Sequence, residues 1–518
     1  LRNNKFANHE EREILQQSVP IRDIRGLIPI QSPSFDPFDP SLSMDLLPLL
    51  TSSAWSVLMI AVFFGGSIFV HEFGHFWVAK KRGVKVERFS FFGLGPPIFK
   101  WRGKDGVEYC VCWIPIGAYV ALPQLADMRG IEGEASADTA GLPSPNYTTR
   151  MLVFVAGATM NIVLAFALAT ILWQVGLPAN ADTQRARIGH VAPTLTLPDG
   201  RVVPSPAAEA GLLPGDTIAA IDGQAVSTWD EMRQILFTGD GRTADGRPQT
   251  TLTIRRGAEI LILAAKPVLA GDERMRMLGV SPFQELKIAE VNPDSLGAKA
   301  GLQIGDIVRR IDDTAITSFA TYAAALEARP AASATLEVER AGAAVSLSIP
   351  PRTDTVHAAE LGLGFDPELV LIHPTPWKQV ADTARMTART FWSLINRDSD
   401  VGISKLSGPI GIARVFHITA QADIRYVLWF TILVNVNLAI FNLLPLPVLD
   451  GGHMLFATIG RLRGRALPAT FIQNIQGAFV VALLSMMIYV SFFDIRRITR
   501  SGREDNPAAA PSTPAPPK

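Results

Sequence analysis

The feature that most restricts this chain is an apolar run over residues 55–70. It passes without a break into His71-Glu72-Phe73-Gly74-His75 and on to Ala79. A bilayer core takes about 20 consecutive apolar residues in helical form, so the run reads as a membrane span carrying two histidines and a carboxylate. A charged group at that depth costs roughly 2.5 kcal/mol or more and marks function. Three further runs are long enough to cross: 151–175, 424–444 and 472–493. Pro445 and Pro447 end the third, because proline cannot continue a helix. The expected fold class is a polytopic α-helical membrane protein of about four transmembrane helices.

Composition narrows the function. The 518 residues hold 48 Lys+Arg and 48 Asp+Glu, and this zero balance offers no excess of positive charge to a nucleic acid. Hydrophobic residues make up 48%, too many for a disordered chain. Cys110 and Cys112 are the only cysteines, which excludes a disulfide scaffold. On a strand they share a face, yet they lie too close in sequence for an ordinary bridge. Charge also sets orientation. Lys80, Lys81, Arg82, Lys85, Arg88, Lys100, Arg102 and Lys104 follow the first span, and Arg461, Arg463 and Arg465 separate the third from the fourth. Both loops read as cytoplasmic under the positive-inside rule, leaving the middle region and both ends outside. Arg496, Arg497, Arg500 and Arg503 run against this and are outweighed by the two inner loops. The first methionine is Met44, so residues 1–50 read as a disordered extension or a gene-model artefact. Residues 496–518, rich in Pro and Ala towards their end, read as a disordered tail.

The middle region repeats itself. Ala210-Gly211-Leu212, Gly215-Asp216 and Ile221-Asp222-Gly223 lead to Trp229. Ala300-Gly301-Leu302, Gly305-Asp306 and Ile311-Asp312-Asp313 lead to Phe319 at the same spacing. A fixed period means one structural unit used twice. The pattern resembles the PDZ domain, mainly β, and places tandem copies at 186–270 and 277–366. Such domains bind the C-terminal ends of peptides by adding a strand to a sheet edge.

The chemistry lies in the first span. On a helix, His71 and His75 share a face and can bind one metal ion, with Glu72 beside it as a general base. Zinc in such a site lowers the pKa of a bound water and polarises a peptide carbonyl. Catalytic zinc usually takes three protein ligands. Glu87 is nearest, but it stands among basic residues on a segment that reads as a strand, and is read as a surface charge. The stronger candidate is Asp450, in Asn442-Leu443-Leu444-Pro445-Leu446-Pro447-Val448-Leu449-Asp450-Gly451. Irregular backbone at membrane depth is tolerated only where protein or a water-filled cavity surrounds it, and Asn442 can donate to a substrate carbonyl.

These elements together resemble the site-2 protease family of intramembrane zinc metalloproteases, over about residues 50–495. The resemblance implies one Zn2+ per chain, with His71, His75 and Asp450 as ligands and Glu72 as catalytic acid/base. It implies substrate contacts at Asn442, Pro445 and Pro447, in a membrane-associated β-hairpin at Gly93 and Gly95, and at Gly117 and Tyr119. Ala118 stands where the family has a second glycine. Ala156-Gly157-Ala158 and Asn161 are similar to a motif of the second span, with Ala158 in place of proline. Ser407-Gly408-Pro409-Ile410-Gly411 matches a motif before the third. The implied activity is regulated intramembrane proteolysis of single-pass membrane proteins, such as anti-sigma factors or remnant signal peptides, after a first cut outside. The implied location is the cell inner membrane, with the PDZ pair extracytoplasmic. The membrane core then comprises 51–180 and 421–495, and 370–420 is a connector. Its positions Trp377, Val380, Met386, Phe391 and Leu394 describe an amphipathic helix, on the bilayer surface or packed. His453, three past Asp450, is a candidate supporting residue; His190, His357, His373 and His417 have no partner pattern. Two other readings stand beside this one: an inactive PDZ membrane adaptor, and a different intramembrane metalloenzyme such as a prenyl-protein protease.

Overall fold

In a computed structural model of the chain, the described residues are 54–114, 117–125, 145–271, 274–328, 333–350, 361–465 and 467–504. The extension at 1–50, most of the tail and His357 lie outside them. Among the described residues, four helices are long and apolar enough to cross a membrane: Ala54–Lys81, Tyr147–Val175, Ile424–Asn442 and Ala469–Thr499. Local chemistry sets their ends. The Asn146 side chain accepts from Thr149 N–H at the start of the second span, and Gly176, at φ 77°, closes it. The Asp423 side chain caps the start of the third. A π-helical turn, Ile60–Gly65, interrupts the first. The second span packs against both the first and the third.

After the first span the chain forms a four-stranded sheet of β1 (Arg88–Phe92), β2 (Leu94–Arg102), β3 (Glu108–Ile114) and β4 (Tyr119–Ala121), in the order β2-β3-β1-β4. Phe89, Val120 and Leu122 join Phe76, Ala79, Val153 and Phe154 in one core, which ties the sheet to the first two spans. Ile98, Phe99, Trp101 and Trp113 of β2 and β3 remain exposed, an apolar patch of the kind that meets lipid. Cys110 and Cys112 are buried free thiols with sulfurs 3.8 Å apart.

The repeat is structural as well as sequential. Each copy has a four-stranded sheet, a short helix (Pro206–Glu209 or Leu296–Lys299), a longer one (Trp229–Phe237 or Phe319–Glu327) and its own apolar core. Asp216 takes Arg256 in a two-pronged ion pair, and Asp306 takes Arg340 in the same way. Both arginines also reach a carbonyl in the preceding turn, Gly211 or Gly301. The copies differ in the loop after the helix, which is longer in the first. Arg242 of that loop reaches the Asp398 carbonyl and the Asp400 carboxylate.

The connector helix is Pro376–Ile395, and it is both packed and amphipathic. Gln379 donates to the Ala169 carbonyl of the second span, while Trp377, Trp392 and Ile395 remain exposed. The Ser-Gly-Pro-Ile-Gly motif opens the helix Pro409–Ala422. Its Gly408 and Gly411 N–H groups both donate to Asp494 Oδ2 of the fourth span, at 2.9 Å each. A Cβ at either glycine would stand about 3 Å from that carboxylate, which accounts for the residue type. The fourth helix continues to Glu504, through residues 496–504 expected to belong to a tail. Arg497 anchors that extension, donating to the Ser404 and Leu406 carbonyls.

Candidate metal centre

His71 and His75 lie one turn apart on the first span, in its half nearer the sheet, 7% and 1% exposed. The third span stops at Asn442, and Leu443–Leu449 form a tight loop. Leu446 N–H donates to Leu444 O and Leu449 N–H to Leu446 O, so much of this loop's backbone polarity is met inside protein. The loop delivers Asp450, buried, as the first residue of the helix Asp450–Leu462. Gly451 and Gly452 follow because a Cβ at either would run into the carbonyls of Leu443, Leu444 or Leu446. Gln476 of the fourth span donates to the Pro447 carbonyl and holds the loop from behind.

Asp450 Oδ2 is 3.3 Å from His71 Nε2 and 3.4 Å from His75 Nε2, and the two Nε2 atoms are 3.1 Å apart. Bonds of ~2.0 Å to a tetrahedral ion give ligand–ligand edges of roughly 3.3 Å, so the three donors fit one face of such a site. Among the described residues this is the one cluster of three or more such donors able to hold a metal ion. Asp450 Oδ2 and Glu72 Oε2 are both buried without a hydrogen-bond partner, an arrangement that a cation relieves. Glu87 is not part of the cluster.

The model of peptidase family M50 matches residues 59–486. The chain belongs to peptidase family M50. It is 30% identical over 472 residues to the regulator of sigma-E protease RseP of Escherichia coli, covering 86% of this chain and 99% of that one. It has the same identity over 473 residues to a Vibrio cholerae chain named as a candidate zinc metalloprotease, with the same coverage. Protease RseP of Yersinia pestis is 30% identical over 475 residues, again covering 86% and 99%. This M50 peptidase is therefore an intramembrane zinc metalloprotease and a multi-pass membrane protein.

The second span packs against the His71–His75–Asp450 cluster. His75 Nδ1 lies 2.7 Å from the Val153 carbonyl, and His71 Nδ1 lies 3.2 Å from Asn161 Nδ2. Between them is Gly157, where a Cβ would stand 2.5 Å from His75 Nε2 and 2.6 Å from His71 Cε1. Asn442 Nδ2 is 3.5 and 3.4 Å from the two ring nitrogens of His71. The sheet reaches the site through β4, whose Val120 backbone lies beside the Glu72 carboxylate. β4 is the end strand, paired on one side only. Gly93, Gly95 and Gly117 have φ of 91°, 88° and 96°, and Gly93 N–H donates to Gly117 O at 2.7 Å. The hairpin is thus pinned to the segment leading into β4. Tyr119 turns its hydroxyl towards Cys110, 3.8 Å away, so it presents backbone rather than side chain to the open edge. Pro445 is exposed and Pro447 half-buried in the turn before Asp450. His453 is buried and stacks on Phe154 at 5.5 Å rather than joining the donors. The contributions of Gln476 and Asp494 carry no local sequence signal, unlike that of Val153. The 153/157/161 spacing on one helical face was the available clue to Val153.

Proposed function

We propose that His71, His75 and Asp450 are the zinc ligands and Glu72 the acid/base of a protease that cuts single-pass membrane proteins within the bilayer. The observation that carries this is the meeting of the two Nε2 atoms and Asp450 Oδ2 at 3.1–3.4 Å beside the unpartnered Glu72 Oε2. When bound, zinc supplies Lewis acidity to a peptide carbonyl and to water. Glu72 Oε2 takes the proton of the attacking water and delivers it to the departing amide nitrogen. Asn442 Nδ2, beside the histidines, donates to the carbonyl oxygen as charge develops there.

A helical substrate shields its own amides, so it must be opened before cleavage. The unpaired edge of β4 offers ladder bonds to the opened segment, and the turns at Gly93, Gly95 and Gly117 set that edge's position. Pro445 and Pro447 shape the opposite wall. The two repeated units are PDZ domains, the first running past its expected end at 270 to Pro282, because Leu278 and Val280 pack in its core and Val280–Pro282 pairs with Ile188–Val191. Both stand outside an inner membrane, reading new chain ends or excluding large ectodomains. The basic residues after the first span support that orientation. Anti-sigma factors or remnant signal peptides already trimmed outside are the substrate class. The test compares zinc content and cleavage of a model transmembrane substrate in wild type and Glu72→Gln. Equal cleavage by both overturns the mechanism.

A further inference from the structure

Three residues of the second span, Val153, Gly157 and Asn161, are four apart and share one helical face. The first span runs past that face in the opposite sense. The Val153 carbonyl therefore serves His75, and the Asn161 side chain serves His71 one turn along. Gly157 separates the two contacts. Side chains lean towards the N-terminus of their helix, so a Cβ at 157 would cover the Val153 carbonyl as well as strike both rings.

A histidine that gives Nε2 to a metal carries its proton on Nδ1 and needs an acceptor there. For His75 that acceptor is Val153 O, 2.7 Å away. For His71 the neighbour is the fully buried amide of Asn161. Its Nδ2 faces the ring at 3.2 Å, while its Oδ1 is buried with no partner. Two donors cannot bond each other. A half-turn of the amide places Oδ1 against Nδ1–H and ends the conflict, and the two ends of an amide exchange without any change of shape. Asn442 does not substitute, because its Nδ2 is nearly equidistant from both ring nitrogens and is in-plane partner to neither.

We infer that Asn161 is a positioning residue for the metal centre: its amide oxygen accepts His71 Nδ1–H and turns Nε2 towards Asp450 and His75. The inference rests on the proposal that His71 is a ligand. Loss of such an outer partner typically weakens a metal ~10–100-fold. The test is zinc affinity of the full chain in detergent, by competition with a chromophoric chelator, with the visible absorption of the Co2+ form as a second readout. Asn161→Leu is expected to weaken zinc by that factor and to shift the cobalt bands. Asn161→Asp, an acceptor only, is expected to keep both. Asn435→Leu removes another fully buried amide, one that donates to Ser67 Oγ, and is expected to leave zinc unchanged. Wild-type affinity and cobalt spectrum in Asn161→Leu, with zinc lost in His71→Ala, overturn the inference alone. Zinc retained in His71→Ala overturns the ligand assignment beneath it. Should Asn161→Leu fail to fold, Asn161→Asp decides: loss of zinc there overturns the inference.

Discussion

Asp450 Oδ2 stands 3.3 Å from His71 Nε2, joining the first span to the loop after the third. Removing it leaves two histidines that also face each other at 3.1 Å. Asp450→Ala is expected to weaken zinc by at least the ~100-fold that loss of an outer partner can cost. Metal analysis after dialysis against a chelator measures this, and full zinc content in the variant would remove Asp450 from the ligand set.

Gly157→Ala adds one methyl group where both histidine rings already lie within 2.6 Å of the new atom. Overpacking of this kind costs roughly 1–3 kcal/mol, and here the rings must yield because the helix backbone cannot. The expected result is a folded chain with reduced zinc affinity and little cleavage. Gly477→Ala, at a glycine with open space around it, is the matched control and is expected to behave as wild type.

The repeated ion pairs predict a pH dependence. Burial pushes the Asp216 carboxyl up, but hydrogen bonds from Arg256 and Leu213 N–H outweigh it and hold the group below its ordinary value. Asp306, with Arg340 and Gln303 N–H, behaves alike. A folded value below the unfolded one means that the unfolded chain binds more protons as pH falls. The stabilisation is therefore complete above the usual carboxylate range, near pH ~4, and is lost as pH falls through the folded value. Arg256→Gln is expected to lower the melting temperature of the full chain at neutral pH, with the gap to wild type closing in acid. A gap independent of pH would assign the arginine to packing alone.

The legible parts of this molecule are those with a local pattern. The four spans follow from runs of apolar residues, the histidine pair from helical spacing, and the doubled unit from its period. Asp450 was reachable because prolines at membrane depth mark backbone that must be enclosed. What the residues did not announce are contacts between segments distant in sequence. Nothing around Asp494 signals that it caps the helix opening at Pro409, although the glycines there register its approach. Gln476, meeting Pro447, is one polar residue in an apolar helix. The helical continuation past residue 496 has no local signal for the same reason, since Arg497 finds its carbonyl partners on a remote loop.

One such contact ties the first repeated unit to the loop that follows the connector helix. Asp400 takes Arg276 at 2.7 Å and Arg242 at 2.9 Å, and the Arg276 side chain is only 1% exposed. Removing one partner of a buried pair strands the other charge and costs about 3–5 kcal/mol, whereas apolar replacement of the whole pair is often neutral. Asp400→Ala is therefore expected to loosen this junction, and an Asp400→Leu/Arg276→Met double variant to recover much of the loss. Hydrogen exchange over residues 274–278 and 396–405 reads the junction directly, because local opening sets the exchange rate there. Zinc affinity should not change, since Asp400 and Arg276 are not among the metal-site contacts. Unaltered exchange in Asp400→Ala would mean that Ser393, bonded to the Thr238 carbonyl, and Asn396, bonded to Asp240, hold the junction without the buried charges.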